Sequence, residues 1–158
     1  MAKLTDNFLA LEPMLVSHLQ ARLDALLPTP TAMSPRVMVL SARDVAAVAE
    51  ASQYTPAVHI VYQGFSIQEH RTDGLSNRIE QTWLAVVATR NVRDTLTGSA
   101  ARVDAGTIAL HVAQALMGFK AAPLTKPLQL ANAPAAAFTV GFQYLPLAFV
   151  AEVIVSVI

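Results

Sequence analysis

Leu15, Leu19, Leu23 and Leu26 recur at three- and four-residue spacing, with His18, Gln20, Arg22 and Asp24 between them. This period predicts an amphipathic helix from about Pro13 to Leu27. Pro13 suits its first turn, where a missing N–H costs little. The Pro- and Thr-rich "PTPTAMSP" (28–35) then breaks the pattern. "RVMVL" (36–40) predicts a short strand, Ser41 a helix cap, and "ARDVAAVAEAS" (42–52) a short helix with Val45 and Val48 turned inward. In "TPAVHIVYQGF" (55–65) the period changes to two. Val58, Ile60 and Tyr62 share one face there, and Ala57, His59 and Val61 share the other. His59, inside that apolar strand, is expected to be a hydrogen-bonded core residue.

A polar connection, "SIQEHRTDGLSN" (66–77), carries an Asp-Gly turn signal. "RIEQTWLAVVATR" (78–90) returns as a long strand whose apolar half is two-sided, the mark of a central position in a sheet. Trp83 shares its core face with Ile79 and Val87. "SAARVDAGTIALHVAQALMG" (99–118) predicts a second major helix with Ala101, Ala105, Ile108, Val112 and Leu116 inward and Gly118 closing it. Strands are expected at 127–132, 136–144 and 147–157. The order is helix, strand, short helix, hairpin, helix, strands. It predicts a single α+β domain over 1–158, a mainly antiparallel sheet with two major helices packed on one face, plus a short helix.

Composition narrows the function. The chain is 54% hydrophobic and only 14% charged, with 11 basic residues balanced by 11 acidic ones. So little charge implies either a large core or surface buried against other subunits. A net charge of zero supplies no basic field for nucleic acid. Cysteine is absent, which removes disulfides, thiolate metal sites and a thiol nucleophile. The start of the chain does not read as a signal peptide, because Asp6, Asn7, Glu12 and Pro13 interrupt its apolar stretch. The apolar run at 144–158 contains Pro146 and Glu152 and is too short for a membrane helix; its Val and Ile content reads as strand.

Catalytic patterns fail on their spacing. "TWLAVVATRNVRDTLTGSA" (82–100) has the strand, loop and helix order of a phosphate-binding turn, yet its loop has one glycine and no lysine. His18, His59, His70 and His111 show no i, i+4 pair, and no GxSxG is present. No catalytic residue, metal ligand or cofactor is therefore expected. The polar corners are better read as contact surface: Glu69, His70, Arg71 and Asp73 in the 66–77 connection, and Arg90, Arg93 and Asp94 after the central strand. Phe149, Val153 and Val155 on the last strand are apolar candidates for the same role, since an unpaired strand this apolar would be an aggregation hazard.

"ASQYTPAVHIVYQGF" (51–65), "QTWLAVVATRN" (81–91) and "PLQLANAP…FTVGFQYLPLAF" (127–149) resemble, in order and spacing, the tail-terminator family of Mu-like phages and related prophages. The resemblance runs from about Leu11 to Phe149; the apolar end of the last strand goes beyond it. It implies an α+β virion-tail protein without catalytic residues, assembled in the bacterial host cytoplasm. It also implies a hexameric ring of the chain with itself, seated on the tail-tube protein, stopping tube growth and facing head-side neck proteins. Two alternatives remain at this point: another neck or head-completion protein, and a cytosolic small-molecule-binding α+β domain with a polar pocket around His59 or His70.

Overall fold

The computed structural model describes residues 3–31, 35–50, 55–90, 99–139 and 141–157. Helix α1, Leu11–Leu26, buries Leu11, Leu15, Leu19 and Leu23. Each is at most 1% exposed, so each contributes roughly 1.5–3 kcal/mol of burial. The helix begins two residues earlier than its pattern predicts. A turn precedes it in which Asn7 Oδ1 accepts the Leu9 N–H at 2.8 Å.

Strand β1 spans Met38–Ala42, and helix α2 is Val45–Glu50. Ser41 lies in the strand and does not cap α2. Asp44 does, its Oδ1 accepting the Ala47 N–H at 2.9 Å. With the start moved, Val48 is buried and Val45 is exposed, contrary to the expectation for Val45.

Strands β2, Ala57–His70, and β3, Ser76–Arg90, form a hairpin longer than expected. Most of the predicted polar connection is strand; the reversal is confined to 71–75, where Gly74 takes φ 72°. The β2–β3 register shifts between Tyr62 and Gly64 and again between Ile67 and Glu69. The first bulge puts Phe65 and Ile67 on the same face as Tyr62, paired with Gln81 and Ile79.

Helix α3, Ser99–Leu116, buries Ala105, Ile108, Val112 and Leu116 as predicted. Ala101 and Ser99 lie where side chains are not described. Gly118 follows the helix at φ 78°. Then come β4 (Gln129–Ala131), β5 (Ala137–Thr139) and β6 (Phe142–Ser156). The expected break at Pro146 is absent, because β6 runs straight through it.

The sheet order is β1-β2-β3-β6-β4, with β5 also on β6. Only the β1–β2 pairing is parallel. The fold is α+β, with α1 and α3 on one face and α2 on the other. The larger core cluster joins α1 and α3 to Val58, Ile60, Ile79, Trp83, Val87, Phe149 and Val153. A smaller one on the opposite face joins Val48, Val61, Leu84, Val86, Ala88, Tyr144 and Ala148. The alternation read in β2 and β3 is the alternation between these clusters.

Candidate functional site

The features that distinguish the surface are strand edges and apolar side chains. Three stretches of sheet edge are closed. On β1, the Gln20 side chain of α1 substitutes for a neighbouring strand: its Oε1 accepts the Val39 N–H at 2.8 Å and its Nε2 donates to the Val37 carbonyl at 3.0 Å. Beside it, Arg36 grips Asp24 at 2.7 Å and holds that carboxyl below the usual range. Along the end of β6, the Thr125 N–H donates to the Glu152 carbonyl and the Leu4 N–H to the Ile154 carbonyl, both at 3.0 Å.

The third stretch, between β4 and β5, has no strand beside it and is closed only by a missing donor. β4 pairs with 148–150 of β6 and β5 with 142–144, so Pro146 falls in the gap. Glu152 and Ile154 direct their carbonyls away from β3. Counting back in twos along an unbroken register, the Pro146 nitrogen faces the same way, and it carries no hydrogen.

Two edges that carry exposed apolar side chains lack a full neighbouring strand among the described residues; β5, paired with β6 alone, is a third. β1 covers β2 only as far as Val61, leaving the side of β2 from Tyr62 to His70 unpaired. At the far end of the order, β4 has a strand on one side alone, and on its outer side the adjoining Leu128 accepts the Gly118 N–H at 2.9 Å and donates to the Phe119 carbonyl at 2.8 Å, which leaves Leu130 as its outward-facing residue. Along β2 the exposed apolar side chains are Phe65 (53% exposed) and Ile67 (50%), with Phe8 (38%) against them; the Phe8 and Phe65 rings meet edge-on at 5.5 Å. On β4 it is Leu130 (48%); Leu110 (58%) on α3 and Met117 (53%) just past its end are exposed as well.

A buried amide ties the Phe8 segment to the sheet. Gln81, fully buried, donates from Nε2 to the Phe8 carbonyl at 2.8 Å and accepts the Trp83 indole N–H at 3.2 Å. On the opposite face of the hairpin arm, Thr125 donates to Glu152 Oε1 at 2.6 Å and Lys126 stands 3.2 Å from its Oε2. These partners, the Thr125 hydroxyl first, hold the Glu152 carboxyl below its ordinary range.

The residues singled out from the sequence scatter. Glu69 pairs with Arg78 at 2.8 Å, His70 Nδ1 lies 2.8 Å from Asn77 Oδ1, and Arg71 pairs with Asp73 at 3.0 Å. All four belong to the tip of the β2–β3 arm, where exposed pairs contribute little stability. Arg90 is exposed, its guanidinium 5.7 Å from the Phe142 ring centre. Arg93 and Asp94 lie outside the described residues. Phe149 and Val153 are core residues, 1% and 0% exposed, and offer no surface; Val155 is half-buried against the same core. Phe8, Phe65, Ile67, Leu110, Met117 and Leu130 were not anticipated. The signal for two of them was present: the alternation of β2 continues through "GFSIQ" once the bulge at Gln63 is allowed for.

His59 is 1% exposed, a core residue as expected, but its Nε2 has no hydrogen-bond partner. Burial pushes its pKa down, keeping the ring neutral. His70 stands on the exposed arm, so neither histidine anchors a polar pocket. No cluster of metal-ligating side chains occurs among the described residues, nor a helix there long and apolar enough to cross a membrane.

The mixed sheet carries exposed apolar side chains along two of its edges. The model of the phage tail terminator protein family matches residues 14–157, nearly the whole length. The chain belongs to that family, and is a structural component of a phage tail that interacts with other tail proteins. No curated protein matches it significantly.

Proposed function

We propose that the chain forms a hexameric ring on the end of the tail tube, assembled in the host cytoplasm. The ring stops addition of further tube subunits and presents a surface to the head-side neck proteins. The observation that carries this reading is the tail-terminator family match over residues 14–157. Open sheet edges and a formal charge of zero agree with it, since a head-to-tail contact needs complementary, weakly repelling sides. In this reading the arm-tip residues Glu69, His70, Arg71 and Asp73, and the Arg90–Asp94 corner, form polar rims that face tube or neck.

Electron microscopy of tails assembled with and without the protein tests it. With the protein, tubes should be uniform in length and carry a ring at one end. Without it, they should overgrow. An unchanged length distribution refutes the proposal.

A further inference from the structure

We infer that the outer face of α3 is a self-complementary seam on which a second copy of the chain docks antiparallel, about a two-fold axis. The inference does not rest on the ring reading. A two-fold contact closes after two copies, whereas a ring repeats a head-to-tail contact, so this is a separate surface.

Three observations lead there. First, the face is apolar, uncharged and uncovered. From Ala105 to Phe119 the chain carries no Asp, Glu, Lys or Arg. His18 Nε2 lies 2.9 Å from the Ala115 carbonyl, which marks the side of α3 that meets α1. At ~100° per residue, Gly106, Leu110, Ala113 and Met117 fall in a sector about 60° wide on the opposite side. Met117 keeps the helical register past the end of α3, its N–H donating to the Ala113 carbonyl at 2.9 Å. Leu110 and Met117 leave more than half of themselves to water.

Second, the chain itself makes no use of Gly106. A glycine in mid-helix weakens the helix relative to alanine. Gly106 has no positive φ, and a Cβ there would meet nothing within 4 Å. The missing side chain therefore leaves room for an approach from outside the chain.

Third, the pattern matches itself. The four positions follow one another at intervals of 4, 3 and 4 residues, the a/d spacing of a coiled-coil seam, with small residues alternating with large. With a second α3 reversed against the first, Gly106 meets Met117 of the other copy and Leu110 meets its Ala113. Both pairs are centred on the same point, between His111 and Val112, so one axis serves all four layers. Each layer sets a large side chain over a small one, which lets the layers interdigitate. A parallel pairing would stack leucine on leucine and glycine on glycine, and leave alternate clashes and gaps.

The size of the seam sets its strength. A standard interface takes about 800 Å² from each partner, spread over roughly 20–30 residues. Four positions and their flanks supply much less, so the dimer is weak and reversible. A net charge of zero adds no repulsion between the copies.

Sedimentation equilibrium measures the association, and disulfide cross-linking reads its register in a chain with no native cysteine. The native chain should pass from monomer to dimer as its concentration rises. Gly106→Leu should keep the monomer's melting temperature yet raise the concentration for half-dimerisation by about tenfold or more, and Leu110→Glu should do the same. Gly106→Cys and Met117→Cys should not cross-link singly, because at about 1.5 Å per residue the two copies of either position lie ~16 Å apart. An equal mixture of the two should give disulfide dimers, and the double variant should stop at a dimer. Self-cross-linking of Met117→Cys would show a parallel contact, and a ladder from the double variant a head-to-tail one; either overturns the inference. A chain that stays monomeric at every concentration, or whose association neither Gly106→Leu nor Leu110→Glu weakens, overturns it too. Rings that form without the disulfide between positions 106 and 117 would overturn it while leaving the ring reading intact.

Discussion

Gln81→Leu isolates the energetic role of the amide that joins the amino-terminal segment to the sheet. The substitution nearly conserves volume at a fully buried site, so packing changes little. It removes the bond to the Phe8 carbonyl, worth ~0.5–1.5 kcal/mol, and strands the Trp83 indole N–H, at a cost of ~1–3 kcal/mol. Greater apolar burial returns ~1 kcal/mol, leaving a net loss of about 2 kcal/mol. For a chain of this length the melting temperature should fall by roughly 4–8 °C. Trp83→Phe alone costs ring volume and leaves Gln81 Oε1 unpaired; together with Gln81→Leu it leaves no orphaned indole donor. The double variant should therefore be less destabilised than the sum of the singles, by about 1 kcal/mol or more. Urea melts at one fixed protein concentration measure this, because assembly would otherwise raise apparent stability. Additivity within ~0.3 kcal/mol would refute the pairing.

Leu19→Ala, in the centre of the α1 stripe, should cost ~2–5 kcal/mol and lower the melting temperature by roughly 10 °C, read by circular dichroism. Glu152, held below its ordinary range when folded, stabilises fully above its unfolded value near ~4.3 and loses that contribution as pH falls through the folded value. Stability of the native chain should thus drop between about pH 5 and 3 more steeply than that of Glu152→Gln; parallel curves would contradict this. The pKa of buried His59 is depressed, so its contribution is complete above the unfolded value near ~6.5 and declines as pH falls below it. His59→Leu should flatten the stability profile between about pH 7 and 5, and an unchanged slope there would show that His59 is not its source.

Local period was enough to read the helices and the two-faced strands. The α1 leucines and the Val58, Ile60, Tyr62 face appear where spacing places them, because burial on one side of an element leaves its period in the chain. Polar residues misled in both directions. "SIQEH" reads as loop by composition but is strand, since hydrogen bonds to β3 hold it irrespective of side-chain polarity. Phe149 and Val153 read as contact surface because so apolar a strand, if unpaired, needs a partner; β3 and β4 flank Phe149 instead. Ser41 reads as a cap by residue type, but the register of β1 holds it in the strand and Asp44 caps α2 instead. The Gln81 bridge and the Gln20 edge cover left no trace in the pattern, because each links segments distant in sequence through one side chain.

Pro146 interrupts the uncovered stretch of β6. The segment of β6 around it, "YLPLAFV", is the kind of apolar, uncharged stretch that seeds fibrils when its backbone is free to template another chain. Between β4 and β5 that backbone is uncovered on one side, and an incoming strand would find the row of donors broken at Pro146, leaving its own carbonyl there without a partner. Pro146→Ala would keep the pairing with Val86 and restore the donor. The chain would then carry a further adhesive edge, one with no matching surface to terminate its growth.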